Sequence, residues 1–358
     1  MRTSIDKYRR EISTLCDKLA GQRPLVRVME VCGTHTMTIA RSGLRSLLPD
    51  MLDLISGPGC PVCVTDQSYI DRAVKLAGRE DIIIATYGDM VRVPGRRGSL
   101  AEARARGARL QVVYSPQQAI DLAKREASSH VVFLAVGFET TAPATALAAK
   151  NARDADLPNF SLFTAHKLIP PAMRALLAAG DVRLDAFLCP GHVSVIIGYE
   201  AYRQIARDFA RPCVVAGFDP PQILAGLAEI CRQLVAGRPD ACTVYPAVSA
   251  EGNTRAKALL EEVFEPAQAA WRGLGTIPAS ALVLRDRFAR WDTAKRFEMD
   301  EETSREPEGC RCGDVICGRC RPTDCSLFGQ RCTPRQAVGP CMVSSEGACA
   351  AAYKYQRR

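Results

Sequence analysis

The sequence predicts an α/β protein: two Rossmann-like units with mostly parallel sheets, then a small cysteine-rich domain. Three observations predict it. Short apolar runs alternate with helical stretches from residue 23 to residue 245, the pattern of parallel strands joined by crossover helices. The runs end repeatedly on turns that carry Cys, His, Gly or Pro, and in open parallel sheets the carboxyl ends of the strands form the ligand-binding edge. Residues 310–349 hold eight of the sixteen cysteines, with frequent Gly and Pro and weak apolar periodicity. A segment of that kind cannot fold on an apolar core of its own and needs cross-links.

The elements follow in order. Residues 4–20 read as an amphipathic helix. Pro24–Val31 is a buried strand that ends on Cys32-Gly-Thr-His35, where Thr34 or Thr36 is placed to cap the next helix. Leu52–Ile55 is a short strand before Gly57-Pro-Gly-Cys60-Pro-Val-Cys63, followed by a helix over 66–76. Asp81–Tyr87 ends on Gly88-Asp89-Met90, and Leu110–Tyr114 with a helix over 116–126 completes a first unit. The pattern then restarts: Val131–Val136 ends on Gly137-Phe-Glu139-Thr-Thr141, Phe160–Phe163 on Thr164-Ala-His166-Lys167, Asp185–Leu188 on Cys189-Pro-Gly191-His192, and Pro212–Ala216 on Gly217-Phe-Asp219. The expected organisation is an N-terminal helix (1–22), α/β units at 23–127 and 128–245, and a C-terminal region (246–358) made of a connecting stretch and the cysteine-rich domain.

An apolar fraction of 47% allows sizeable cores and excludes global disorder. The net charge of +8 lies on Arg-rich stretches such as 96–109 and 285–296 without interleaved aromatic residues, which points to solvated helix faces and away from nucleic-acid binding. The first residues carry no apolar leader, and no apolar run reaches the roughly 18 residues of a membrane span. A cytoplasmic location and no membrane association are therefore expected.

That compartment weighs against disulfides as the cross-link of residues 310–349. Zinc usually takes two close cysteine pairs, and Cys317-Gly-Arg-Cys320 is the one pair of that form in the segment. An iron–sulfur cluster takes four thiolates and tolerates irregular spacing, which suits Cys325, Cys332, Cys341 and Cys349. Spacing alone does not choose which four of the eight bind.

Upstream, Cys60-Pro-Val-Cys63 places two thiols at the start of a helix, the arrangement of a dithiol switch; half of a zinc site is the rival reading. Cys32 stands alone on a strand-to-helix turn, with Gly33 allowing close backbone approach, and reads as a nucleophile or soft-metal ligand rather than a small buried hydrophobe. His35 is a second ligand, a proton donor or a hydrogen-bonded turn residue. Three of the four histidines, His35, His166 and His192, fall at expected strand ends; His130 precedes a strand and reads as a surface or capping residue. Glu139, Asp89 and Glu251 are candidate acid/base groups, each equally suited to a cap or ion pair. Gly137–Thr141 lacks both nucleotide-binding glycine patterns.

Taken together, these motifs resemble one family, the hydrogenase maturation factors HypD. The matching pieces are E-V-C-G-T-H-T (Glu30–Thr36), G-P-G-C-P-V-C (Gly57–Cys63), T-Y-G-D-M-V-R-V-P-G (Thr86–Gly95), G-F-E-T-T-A-P (Gly137–Pro143), P-G-H-V-S (Pro190–Ser194), C-R-C-G-D-V (Cys310–Val315), D-C-S-L-F-G-Q-R-C-T-P (Asp324–Pro334) and G-P-C-M-V-S-S-E-G-A-C (Gly339–Cys349). They stand in family order and span almost the whole chain. The resemblance implies two α/β domains plus a domain with a 4Fe-4S cluster, and a scaffold on which the Fe(CN)2CO unit of nickel–iron hydrogenases is built. It implies work with HypC, which shares the iron, and HypE, which delivers cyanide. By position, Cys32 would hold the iron, Cys60 and Cys63 would be the redox-active pair, His35 would orient the iron or its ligands, and Cys325, Cys332, Cys341 and Cys349 would hold the cluster. Cys317 and Cys320 depart from the family pattern, and a ligand set that uses Cys310 or Cys312 stays open.

On this reading the chain is an assembly scaffold rather than a stand-alone enzyme; the alternative is an iron–sulfur-dependent thiol oxidoreductase. Low-spin Fe(II) carrying cyanide and CO favours soft donors, and thiolate is the softest the chain offers. Releasing cyanide from a thiocyanate consumes two electrons, the number a dithiol yields on closing to a disulfide.

Overall fold

The computed structural model describes residues 2–299 and 306–356. Its strands are β1 (Val26–Glu30), β2 (Leu52–Ser56), β3 (Ile82–Thr86), β4 (Arg109–Val112), β5 (His130–Gly137), β6 (Phe160–Lys167), β7 (Ala186–Pro190), β8 (Cys213–Ala216), β9 (Ala241–Thr243), β10 (Phe264–Trp271) and β11 (Gly275–Leu284). β3, β5, β7 and β8 read as unbroken apolar runs because helices or the other sheet cover both of their faces, and every residue in them is buried.

The strands form two sheets, in the orders β2-β1-β7-β8-β9 and β10-β11-β6-β5-β3-β4. The first is parallel throughout. The second is parallel from β6 to β4 and carries the antiparallel hairpin β10–β11 on its β6 edge. The α/β class with mainly parallel sheets is as expected. The division at residue 128 does not match the sheets. β3 pairs with β5 across that point (Ile82↔His130), and β1 pairs with β7 (Val28↔Ala186). The chain builds β1 and β2, crosses to build β3 to β6, returns for β7 to β9, and crosses again for the hairpin. Strand–helix periodicity is the same whichever sheet a strand joins, so the alternation carried no record of these crossings. The hairpin lies in what the sequence offered only as a connecting stretch.

Apolar side chains fill three layers. The largest lies between the sheets and includes Met29, Ile55, Ile84, Leu134, Phe187 and Val215. On the outer face of the second sheet, Ile120, Ala146 and Val263 of covering helices pack on Phe133 and Phe160. On the outer face of the first, Ile12 and Leu19 of helix Arg2–Ala20 pack with Leu224 and Leu227 of helix Pro220–Ala236. Among the described residues, no helix is long and apolar enough to cross a membrane.

Three local expectations change. Helix Gly33–Arg41 starts at Cys32, which occupies the N-cap, so Thr34 and Thr36 lie inside the helix rather than capping it. β6 runs four residues beyond Phe163 and takes His166 and Lys167 into the sheet, where His166 stands opposite Gly137. His130 opens β5 as a buried residue, its Nε2 2.8 Å from the Ser161 hydroxyl, rather than lying at the surface.

Candidate functional site

The carboxyl ends of strands from both sheets meet at one cleft of about 520 Å3. β1 brings Cys32, the loop after β2 brings Gly59 and Pro61, β3 brings Asp89, β5 brings Gly137 and Thr141, and β7 brings His192. The cysteine-rich end closes one side with Ser344, Ser345 and Glu346. The strand-end motifs of the sequence are thus gathered in space, as the parallel-sheet rule expects.

Cys32 sits at the head of this cleft, with only 8% of its surface exposed. Burial pushes its thiol up to about 11; the N–H groups of His35 and Thr34 at the start of the helix pull it down, and the Glu346 carboxylate pushes it up. The turn is held by backbone packing. The Gly33 N–H donates to the Gly59 carbonyl at 2.9 Å. A Cβ on Gly59 would lie 2.2 Å from the Cys32 nitrogen, and one on Gly33 2.5 Å from the Glu346 Cβ. Glycine is therefore required where the two cysteine turns and the C-terminal segment touch. Thr34 donates to Glu346 Oε1 at 2.8 Å, and Asp89 accepts from the Ser344 hydroxyl, the Ser345 hydroxyl and the Ser345 N–H.

Cys60 and Cys63 form a disulfide across the one-turn helix Pro61–Val64. Both sulfurs are covered, Cys63 entirely, and neither lines the cleft, although Pro61 and Val62 between them do. The turn packs on its far side against helices Cys312–Ile316 and Pro340–Val343, which carry Cys312 and Cys341. The disulfide therefore lies between the Cys32 cleft and the cysteine-rich end.

Cys325, Cys332, Cys341 and Cys349 all line one small apolar cavity, of about 20 Å3, and Cys310 and Cys312 line it too. The Cys312 and Cys341 sulfurs are 2.8 Å apart. That hydrogen bond lowers the Cys312 thiol from its ordinary value and, against burial, the Arg272 guanidinium lowers it further. Among the described residues no three His, Cys, Asp or Glu side chains stand ready-made around a metal position. The donor chemistry nonetheless fits a thiolate-bound group: six of the twelve residues around the cavity are cysteines. The extra pair lies apart from it. Cys317 donates to the Gly273 carbonyl at 3.3 Å, and Cys320 lines a separate hollow with Arg27 and Asp53.

His35 does not reach the cleft. It is fully buried, its Nε2 lies 2.9 Å from the Gly217 carbonyl, and its ring packs near Phe218. Burial lowers its pKa to about 4, so its observed place is a neutral link between the two turns. His166 is equally buried and bonds to Thr145, whereas His192 is exposed at the cleft wall and packs at a tilt against Phe218. Glu139 turns away to accept the Ile169 N–H at 2.8 Å, and burial pushes its carboxyl up to about 7. Glu346 and Arg272 escaped the reading of the sequence. Glu346 lay inside a quoted motif with no chemistry attached, and Arg272 stood in a stretch without any motif.

The family described as "HypD: Hydrogenase formation hypA family" matches residues 4–356. Relatives include the hydrogenase expression/formation protein HupD of Azotobacter chroococcum mcd 1, 47% identical over 93% of this chain and 90% of its own. The hydrogenase maturation factor HypD of Azotobacter vinelandii is 44% identical over 99% of this chain and 97% of its own, and that of Escherichia coli (strain K12) 44% identical over 94% and 91%. A match of this extent, over a chain whose cysteine turns meet at one cleft, places it among known relatives: it belongs to the HypD family of hydrogenase formation proteins.

Proposed function

We propose that this chain serves hydrogenase maturation as a redox-active scaffold on which, together with HypC, the Fe(CN)2CO unit of nickel–iron hydrogenases is assembled from cyanide delivered by HypE. The observation that carries the reading is the contact of the two cysteine turns: Cys32 faces the cleft while the Cys60–Cys63 disulfide lies directly behind Gly59, against the cysteine-rich end.

The iron is cargo, and Cys32 is its thiolate ligand. At neutral pH a thiol at about 11 holds its proton, so binding iron releases that proton. Glu346, hydrogen-bonded to Thr34, raised mainly by burial and close enough to act electrostatically on Cys32, is the acceptor we assign to it. The Cys60–Cys63 pair supplies electrons. A thiocyanate on the carrier plus the dithiol gives carrier thiol, cyanide, disulfide and one proton, so the S–C bond breaks with two electrons as the S–S bond forms. Cys325, Cys332, Cys341 and Cys349 would hold a 4Fe-4S cluster, which would supply single electrons beside the disulfide. His35 fixes the Cys32 turn to Gly217, a positioning role rather than contact with the iron.

The test is infrared spectroscopy of the chain purified anaerobically with HypC. Cys32→Ala should remove the absorption of metal-bound cyanide and CO, and bands at full strength would sink the assignment. A stand-alone thiol oxidoreductase would instead turn over a small substrate many times without HypC or HypE, and absence of such turnover separates the two readings.

A further inference from the structure

Arg272 stands at the tip of the β10–β11 hairpin, 3% exposed. Buried or half-buried arginines elsewhere meet acids, as Arg23 does Asp185 and Arg45 does Glu30. Arg272 meets none among the described residues. Its Nε donates to the Cys63 carbonyl and its Nη2 to the Thr65 carbonyl, both at 3.1 Å, and its N–H donates to the Val64 carbonyl at 3.0 Å. Three donors thus grip the end of the turn that carries the disulfide. The next residue wedges the tip against the cysteine-rich end: Gly273 has φ +74°, and a Cβ there would lie 2.5 Å from the Gly313 carbonyl oxygen, directly after Cys312. The Gly273 carbonyl also accepts from the Cys317 thiol and from Arg319.

A guanidinium withdrawn from water without a carboxylate is costly unless another negative charge stands near it. The turn it grips carries Cys63, whose sulfur can become negative once the pair is reduced, while the Glu306 carboxylate lies past Gly273, beside Gly313. We propose that Arg272 is a positioning residue for the dithiol. It supplies the positive charge that favours the reduced Cys60–Cys63 pair, raises the reduction potential of that pair, and holds the turn against the cysteine-rich end. The inference rests on the redox-pair reading above. In the half-reaction the S–S bond takes up two electrons and one proton to give a thiol and a thiolate, and the thiolate is the species the guanidinium stabilises. A monothiol such as glutathione, passing to its own disulfide, supplies the electrons in the test.

The test is an equilibrium redox titration of the full-length chain in anaerobic glutathione buffers, quenched with acid. Differential alkylation and mass spectrometry then read the peptide that bears Cys60 and Cys63. Arg272→Gln should need about tenfold stronger reducing conditions for half-reduction, a potential lower by about 30 mV. Arg272→Lys, which keeps the charge and loses the fork, should stay within about threefold of wild type. Should Gln at this position prevent folding, Arg272→Met gives the same comparison with a stem of similar length. A neutral variant that titrates at the wild-type midpoint overturns the proposal, as does a Lys variant that shifts as far as the neutral one, since a packing role would move both alike. A wild-type pair that never titrates as a two-thiol couple overturns the redox-pair reading itself; a wild-type pair that titrates normally but ignores Arg272 sinks this inference alone.

Discussion

At Cys32, opposing influences meet on one sulfur. Burial and Glu346 hold the proton on, and the helix-start N–H groups favour its loss. Glu346→Gln keeps an acceptor for Thr34 and removes the negative charge. Alkylation of Cys32, followed by peptide mass spectrometry at pH 8 to 9, should then speed up severalfold, because more of the thiol is ionised. An unchanged rate would remove Glu346 from the control of this thiol. A second residue-scale prediction concerns His166, whose pKa burial lowers to about 4 from 6.5. Below pH 6.5 the unfolded chain takes up a proton that the folded chain refuses until about pH 4, so this histidine makes stability fall as pH falls through that window. His35 and His130 act in the same direction, whereas Glu139, raised to about 7, makes stability fall as pH rises from 4.5 to 7. Comparing wild type with His166→Gln isolates one group. Between pH 7 and pH 5, urea unfolding should show wild type losing about 2 kcal/mol relative to the variant.

Among the connecting elements, the glycine turns decide whether the site forms. Gly59→Ala would put a methyl 2.2 Å from the Cys32 nitrogen and 2.4 Å from its Cα, with backbone on both sides and no flexible side chain to yield. The loops must part, at a cost of at least about 2 kcal/mol, measurable as a lower denaturation midpoint with an unchanged slope. A variant of wild-type stability would show that the two turns are not pressed together. Much of this level was legible in the sequence. The Cys32 and Cys60–Cys63 turns, the helix capped by Asp66 and the strands that precede them follow from periodicity, Gly–Pro punctuation and capping chemistry. The β10–β11 hairpin was not. β10 exposes Glu265, Pro266 and Gln268 at the edge of a sheet and is otherwise mostly alanine, so the branched apolar run that marks a buried strand is absent. His166 was misplaced for a related reason: a polar residue that ends an apolar run looks like a turn unless its buried partner, here Thr145, is known.

Over the whole molecule, the order of the strands constrains how the chain can be divided. A cut at residue 127 leaves β1 and β2 without β7, and β3 without β5, in the N-terminal piece, and strands from both sheets stranded in the other. Each parallel pair lost is central to its sheet, and the apolar layer between the sheets draws on both pieces, Ile84 from one and Leu134 and Phe187 from the other. The C-terminal end is tied in the same way: Glu346 to Thr34, Ser344 to Asp89 and Arg321 to Asp53 reach back by 255 to 312 residues. Fragments 1–127 and 128–358, expressed separately, should therefore each lack a cooperative unfolding transition and expose apolar surface to a hydrophobic dye. Two sequential units would behave otherwise, since each would fold and melt alone. The discriminating measurement is thermal unfolding of each fragment followed by circular dichroism. A sharp transition in fragment 1–127 by itself would contradict the interleaved sheets, and with them the convergence of strand ends that brings Cys32, the disulfide and the cysteine-rich end to one place.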